Sequence, residues 1–270
     1  MVDSPGWKSS GRGAIALFAL GMIGVLALAI YSVPTLREIP ELSMLSYPTL
    51  VLLASVNSTL VLIVFVGLGT VTAPRIDLDS HVFTWAAGDP TKWSEIRDSL
   101  PLAVALGAGL FVVVAALDVA FARFTQFPAG VALTDTKALN DLVASIPIRL
   151  FYGGITEELL LRWGVMAPIA YVLWWGRNRF GDPTEAPSTT IMWIAITVSA
   201  VAFGVGHLPA LAATFELTIP LIVRTVLLNA IVGVALGWLF WRRSLETAMI
   251  AHAAFHVALV AVSTILIIAT

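Results

Sequence analysis

Long apolar runs constrain this sequence more than any other feature. A helix needs about 20 apolar residues to cross the hydrocarbon core of a bilayer, and seven windows reach that length. Their bounds are residues 13–33, 50–71, 100–121, 146–174, 192–215, 220–241 and 245–268. Because backbone amides in hydrocarbon must bond within their own segment, each run is expected to be helical. The sequence therefore predicts an all-α fold, a polytopic transmembrane helical bundle of seven spans, with an eighth span as the open alternative.

The amino-acid composition narrows the classes of function. Hydrophobic residues make up 59% of the 270-residue chain and charged residues 12%, against about 25% charged in soluble domains. The net charge of −2 provides no basic surface, so we expect no nucleic-acid partner. The chain has no cysteine, which excludes disulfides, thiolate metal ligands and cysteine nucleophiles. Any catalytic metal would have to be held by histidines and carboxylates.

The placement of charges predicts how the chain is oriented and organised. Lysines and arginines in the connecting segments number nine on the side of the N terminus and three on the other, which favours a cytoplasmic N terminus. The first three spans are nearly free of ionisable side chains, whereas the last four hold almost all of them. We therefore divide one integrated domain into a scaffold, residues 1–125, and a half that carries the chemistry, residues 126–270. Arginine far exceeds lysine, which is typical of GC-rich bacterial or archaeal genomes. We therefore expect a prokaryotic plasma membrane.

Three charged residues stand close together in the fourth span, within YGGITEELLLRWG. A charge at the centre of a span costs about 2.5 to 3.5 kcal/mol on insertion scales, so such residues normally face a bundle interior and have a function there. Glu158 and Arg162 are four residues apart, so they share a helix face and can pair; we expect this pair to be structural. Glu157 then points about 100° away around an α-helix and needs a different partner.

Histidines in two later spans are the candidate partners of Glu157. They are His207 in FGVGH, and His252 and His256 in HAAFH. With span 5 at residues 192–215, all four side chains fall within about 10 Å of one depth in the membrane. We therefore predict one buried cluster of Glu157 and the three histidines. A helix that began at residue 188 and ended at His207 would instead place that histidine at the membrane surface.

Several other polar residues have simpler interpretations. One buried histidine is often only a hydrogen-bonded contact between helices. We expect Arg149 and Arg224 to reach toward an interface or a partner, and Asp118, near the end of span 3, to be solvated. Pro209 is expected to kink span 5, because its ring removes a backbone hydrogen bond. A surface helix is expected to start within residues 134–140.

The order of these motifs resembles that of a known family. Three motifs follow one another on separate spans: EExxxR from Glu157 to Arg162, FxxxH from Phe203 to His207, and a third that opens with His252. This pattern is similar to the CAAX protease and bacteriocin-processing family of intramembrane proteases, which includes the type II CAAX prenyl endopeptidases and the abortive-infection proteins. The resemblance covers residues 146–261, and the first three spans carry none of it.

The resemblance implies a role for each residue. Glu157 would be the catalytic glutamate that activates a water with help from His207, and His252 would stabilise the oxyanion of the tetrahedral intermediate. Family members usually close the third motif with asparagine or aspartate, where this chain has His256. A neutral imidazole also donates a hydrogen bond, but it is a metal ligand as well. The supporting residues would be Glu158, Arg162 and Phe203.

Two versions of the chemistry stay open at this point. In a metal-free version, Glu157 and His207 hold the water while His252 and His256 bind the oxyanion. In a zinc version, His207, His252 and His256 are the metal ligands and Glu157 is the base. The cofactor is therefore either none or zinc. Both versions describe an endopeptidase that cleaves a membrane-associated or lipidated peptide or protein, which reaches the site from the lipid.

Two other functions would use the same buried residues. A proton-coupled transporter also relies on intramembrane glutamates and histidines, although the sequence shows no paired inverted repeats, which many transporters have. A non-catalytic membrane protein that binds a partner in its cavity is the second alternative.

Overall fold

The protein is helical throughout the residues that the structure describes. The computed structural model describes residues 7–91, 93–124 and 136–269, and all regular secondary structure in these ranges is helical. Seven helices in them are long and apolar enough to cross a membrane. Their bounds are Ser10–Arg37, Tyr47–Ile76, Trp93–Phe121, Leu139–Phe180, Thr189–Ala212, Ile219–Arg242 and Leu245–Ala269. The predicted all-α bundle with seven spans is confirmed, and the chain is an integral membrane protein.

The helices follow the apolar runs in chain order. They are α1 (Trp7–Arg37), α2 (Tyr47–Thr72), α3 (His81–Ala87), α4 (Trp93–Phe121), α5 (Thr136–Ala144), α6 (Ala167–Phe180), α7 (Thr189–Gly206), α8 (Leu208–Ala212), α9 (Ile219–Arg242) and α10 (Leu245–Ala269). Between α5 and α6 lie two π-helical segments, Ile148–Thr156 and Leu159–Met166, which complete the fourth span. A 3-10 turn, Ala73–Ile76, follows α2.

The fourth span lies at the centre of the bundle. α1 and α10 pack against its first π-helical segment, while α2, α7 and α9 pack against the second. Leu159, Trp163 and Met166 of this span are fully buried among those neighbours. Because the span is surrounded by protein on these sides, charged side chains that it directs toward α9 and α10 are shielded from lipid.

The middle of the fourth span departs from the α-helical geometry expected from the sequence. The amide of Glu157 donates to the carbonyl of Tyr152, and the amide of Ala167 donates to that of Arg162, five residues back in each case. π-helical turns are rare and occur frequently at functional sites. Side-chain directions estimated at about 3.6 residues per turn therefore do not hold along this span, because each π turn contains an extra residue.

The fifth span begins and ends earlier than predicted. α7 starts at Thr189, where the side chain of Ser188 accepts a hydrogen bond from a first-turn amide at 3.3 Å. The predicted start at residue 192 is wrong because this serine cap recruits the preceding polar residues into the helix. At the other end α7 stops at Gly206, and His207 is its C-cap rather than an interior residue.

Two further residues, Asp118 and Pro209, had been given expected roles. Asp118, in the last turn of α4, is not simply solvated, because the guanidinium of Arg224 in α9 pairs with it and donates from Nε at 2.6 Å. An apolar span gives a carboxylate few other partners, so the cation of the neighbouring helix is favoured. The fifth span, in which a kink at Pro209 was expected, is interrupted at His207, between α7 and α8, and Pro209 lies in the first turn of α8.

A buried carboxylate ties the start of α10 to α3. Glu246 is 7% exposed and accepts hydrogen bonds from the hydroxyl of Ser80 at 2.6 Å and from the amides of His81 and Val82 at 3.0 Å each. The first amides of a helix have no partner within it, and a carboxylate satisfies them and complements the helix dipole. These four residues, called the Glu246 cluster below, hold the end of α10 that precedes His252.

Some expectations fall on parts of the chain that the structure leaves out. The proposed boundary between residues 125 and 126 and the start of a surface helix at residue 134 lie outside the described residues; α5 begins at Thr136 within them. The division into a scaffold and a working half, the cytoplasmic N terminus and the prokaryotic membrane stay predictions.

Candidate active site

A fully buried ion pair lies beside the candidate site. Arg162 Nε is 3.1 Å from Glu158 Oε2, which is the pair expected from their spacing. The same guanidinium donates from Nη2 to the carbonyl of Gly233 in α9 at 3.1 Å. A side chain at Gly233 would lie 2.8 Å from the Cα of Ala200 in α7, so the glycine lets α9 approach closely. The pair thus connects the fourth span to α9.

His252 stands between the two glutamates of the fourth span. Its Nδ1 is 2.9 Å from Glu158 Oε1, and its Nε2 is 4.0 Å from Glu157 Oε2. Because Glu158 is paired with Arg162, it is a carboxylate that accepts the hydrogen bond, and Nδ1 of His252 is the donor. This contact fixes the ring so that its other nitrogen, Nε2, faces Glu157.

Glu157 is the carboxylate of the site that accepts no hydrogen bond from the described residues. Its side chain is 19% exposed, and no described group donates a hydrogen bond to it. His252 Nε2 lies 4.0 Å from its Oε2, and the ring of Phe203 in α7 packs against both His252 and His207, so the end of α7 and the face of α10 meet near this side chain. The structure therefore brings Glu157 close to two of the three predicted histidines.

His207 and Phe203 complete the wall formed by α7. His207 Nδ1 is 2.8 Å from the carbonyl of Phe203, so Nδ1 donates and Nε2 remains the accepting atom in the neutral ring. The Phe203 ring packs edge-on against both His207 and His252, with centroids 4.8 and 5.8 Å apart. Arg162 lies 5.2 Å from the centre of the same ring. Phe203 therefore separates the two imidazoles and covers the buried ion pair.

His256 extends the site by one turn of α10. Its ring stacks on that of His252 with centroids 4.9 Å apart and 22° between the planes. Its Nδ1 is buried without a hydrogen-bond partner among the described residues. A side chain at Gly153 would lie 2.7 Å from its Nε2, so a glycine is needed where the first π-helical segment meets this ring.

The three histidines do not fit a zinc site. Zinc needs donors that converge at about 2.0 to 2.1 Å from one point, and the described ranges contain no group of three His, Asp or Glu side chains that could hold a metal. The rings of His252 and His256 are stacked, so they do not aim at one ion. Nδ1 of His252 is engaged by Glu158 and Nδ1 of His207 by a backbone carbonyl, which leaves only Nε2 of each ring as a possible ligand. The zinc version is therefore not supported.

Two contributions to this geometry were not expected from the sequence. Tyr152 lies beside Glu157 and next to Ser58 of α2, because the π-helical turn stacks residues five apart. Arg149, the second residue of the first π-helical segment, lies near His256. The adjacent glycines at positions 153 and 154 were the visible signal, since small residues in a span mark close helix contacts.

The fold and the site together define a polytopic membrane protein with a cluster of glutamate and histidine side chains between its helices. Residues 139–258, which include Glu157 and all three histidines of the site, match the family model described as Type II CAAX prenyl endopeptidase Rce1-like. Residues 139–258 are thus similar to the Rce1-like family, and the resemblance drawn from the motifs is confirmed. Neither the comparison with curated proteins nor that with solved structures gives a significant match. The family implies a membrane-embedded protease.

Proposed function

We propose that the protein is an intramembrane endopeptidase in which Glu157 activates the attacking water. One observation carries this proposal. Glu157 accepts no hydrogen bond from the described residues, its Oε2 is 4.0 Å from His252 Nε2, and the Nδ1 of that imidazole lies 2.9 Å from Glu158. A spacing of this size admits a water that bonds both atoms, which is the arrangement that a general base requires.

His207 supports the placement of the water. Since its Nδ1 donates to a backbone carbonyl, the neutral ring offers Nε2 as an acceptor. The ring lies close enough to Glu157 for the two charges to interact. We assign His207 the task of orienting the water toward the substrate while Glu157 removes its proton.

His252 and His256 are assigned to the oxyanion. The Nδ1 proton of His252 is committed to Glu158, so donation from Nε2 requires the doubly protonated ring, which would be flanked by the carboxylates of Glu157 and Glu158. His256 occupies the next turn and stacks on His252. Two donors aimed at the developing negative charge are worth several kcal/mol in such sites, about 2.7 to 4 kcal/mol for one donor.

The reaction needs no covalent intermediate. Glu157 accepts a proton as the water oxygen bonds to the carbonyl carbon, which gives a tetrahedral oxyanion held by the imidazoles. The carbon–nitrogen bond then breaks, and Glu157 returns the proton to the leaving amine. Glu158 and Arg162 take no part in the transfer; they keep His252 in position.

The substrate class follows from the location of the site. Glu157 is part of a membrane span, so the peptide bond must be presented by a membrane-associated, lipidated or membrane-spanning substrate. α2 and α7 both pack on the second π-helical segment but make at most slight contact with each other among the described residues. We propose that the substrate enters from the lipid between them.

The proposal is tested by comparing membrane proteomes of the wild-type host and a strain carrying Glu157→Gln. We expect one or a few membrane-associated peptides or proteins to accumulate uncut in the variant strain. A strain carrying Glu246→Gln, a matched change of a buried carboxylate outside the site, is the control and should resemble the wild type once protein levels are equal. Identical proteomes in all three strains would refute the protease function.

A further inference from the structure

One face of α2 carries exposed side chains at regular intervals. The other face is buried against α1 and the second π-helical segment. Along the exposed face the intervals alternate between four and three residues, which is the seven-residue repeat by which two helices pack along a common seam. The repeat consists of Leu53, Asn57, Leu60, Val64, Gly67 and Val71, called the α2 stripe below. It extends over about 27 Å at a rise of 1.5 Å per residue, which nearly equals the thickness of the hydrocarbon core, about 30 Å.

Asn57 is the polar member of the α2 stripe. It lies about 7 Å from the middle of the span Tyr47–Ile76, at a rise of 1.5 Å per residue. Its side chain is exposed, and among the described residues its side-chain amide makes no hydrogen bond. Asn229, in the interior of α9, differs because its amide donates to the carbonyl of Thr225 at 2.8 Å. An amide without a partner in hydrocarbon is costly, so a hydrogen bond from another molecule would offset that cost.

The chemistry of the α2 stripe is complementary to a second copy of itself. The Asn57 side chain has a donor and an acceptor of opposite partial charge, so two such amides satisfy each other. All copies of the chain insert with one orientation, so a two-fold axis normal to the membrane brings each position of the stripe against itself. A Cβ at Gly67 would meet nothing within 4 Å in one copy, and small residues let two helices approach closely. Lipid tails offer apolar contact but no hydrogen bond to the amide.

We propose that the protein forms a parallel homodimer through the α2 stripe, in which the Asn57 amides of the two copies bond to each other. A single asparagine in such a repeat fixes the register and the number of helices. Glu157, His207 and His252 come together within one chain, so each copy keeps a complete site. The assignment does not depend on the proposed protease function.

The first test uses engineered cysteines, because the chain contains none of its own. Full-length protein carrying one cysteine is placed in lipid vesicles at several protein-to-lipid ratios and treated with a mild oxidant. We expect Leu60→Cys and Val64→Cys to give disulfide-linked dimers. The matched control is Val112→Cys, on the exposed face of α4, which should stay monomeric.

The second test measures the contribution of the amide. Energy transfer between copies labelled with donor and acceptor dyes gives the dissociation constant in the same vesicles. Asn57→Leu should weaken association about 3- to 30-fold, the range that interhelical hydrogen bonds in membranes provide. Asn57→Gln should retain part of the affinity, because its side chain keeps both donor and acceptor. Asn229→Leu removes an amide from another span and should leave the affinity unchanged.

Other outcomes would overturn the assignment. A wild type that stays monomeric at every protein-to-lipid ratio would refute the dimer. Equal crosslinking of Leu60→Cys and Val112→Cys would show random collision rather than a defined interface. Unchanged affinity in Asn57→Leu would refute the contact between the amides. A monomeric protein in which Asn57→Leu impairs cleavage of the identified substrate would instead assign the amide to substrate binding.

Discussion

Buried carboxylates occur in two regions of this protein, and their hydrogen bonding differs. In the Glu246 cluster the carboxylate accepts three hydrogen bonds of 2.6 to 3.0 Å from the start of α3. In the candidate active site Glu157 accepts none from the described residues, and His252 Nε2 is 4.0 Å away. A carboxylate with its bonds made stabilises structure, whereas one with free lone pairs can hold a water. Glu158 lies in the candidate active site but belongs to the first kind, because its oxygens are engaged by Arg162 and His252 and thereby orient His252.

The largest effect is expected for activity at Glu157. Glu157→Gln should reduce turnover by at least about 10³-fold, because the general base is lost, and should leave the melting temperature within error of the wild type. The measurement is cleavage of the identified substrate by purified protein, with thermal unfolding recorded in the same detergent. Turnover within tenfold of the wild type would show that Glu157 is not the general base and that its carboxylate does not differ in function from that of Glu246.

The next largest effect is expected for stability at Glu158. Glu158→Gln leaves Arg162 buried without its partner and should cost about 3 to 5 kcal/mol of unfolding free energy. The double variant Glu158→Gln and Arg162→Gln should be less destabilised than the sum of the two single changes, since the unpaired charge is gone. Unfolding in mixed micelles measures these differences, and strict additivity would show that the pair does not act as a unit.

A smaller loss of stability is expected in the Glu246 cluster. Glu246→Gln retains one acceptor oxygen but loses the charge at the start of α3, which should cost about 1 to 3 kcal/mol. Turnover per folded molecule should stay within about twofold of the wild type, because none of the reacting groups is changed. A large fall in turnover at unchanged stability would instead make Glu246 part of the chemistry.

The smallest effect is expected at the ion pair between α4 and α9. Asp118 lies in the last turn of α4, at the end of its span, and its side chain is 37% exposed, so Asp118→Asn should cost no more than about 1 kcal/mol. The melting temperature should fall slightly and turnover should not change. Loss of activity in this variant would indicate that the pair positions α9 against the site.

Features that depend on local sequence were predicted well. The seven apolar runs gave the seven spans, because length and hydropathy alone decide whether a segment can cross a bilayer. The Glu158–Arg162 pair followed from a spacing of four residues, and it forms at 3.1 Å. The sequence therefore indicated both the membrane fold and the element that carries the site.

Features that depend on local caps or on distant partners were not predicted. Ser188 sets the start of α7, and the proline-containing turn after His207 sets its end. His207 therefore lies at the terminus of the helix. This position does not separate His207 from His252, because the ring of Phe203 packs against both imidazoles. The contacts of Asp118 and Glu246 span 106 and 166 residues of sequence, and no local pattern reveals them.

The segment that matches the Rce1-like family is held by residues outside it. Glu246 bonds the start of α3, and the hydroxyl of Thr156 donates to the carbonyl of Gly21 in α1 at 2.8 Å. A fragment of residues 139–258 alone would lose both hydrogen-bonded contacts, and we expect it not to fold as it does in the full chain. Chimeras that exchange this segment between relatives must therefore transfer the matching portions of α1 and α3 with it.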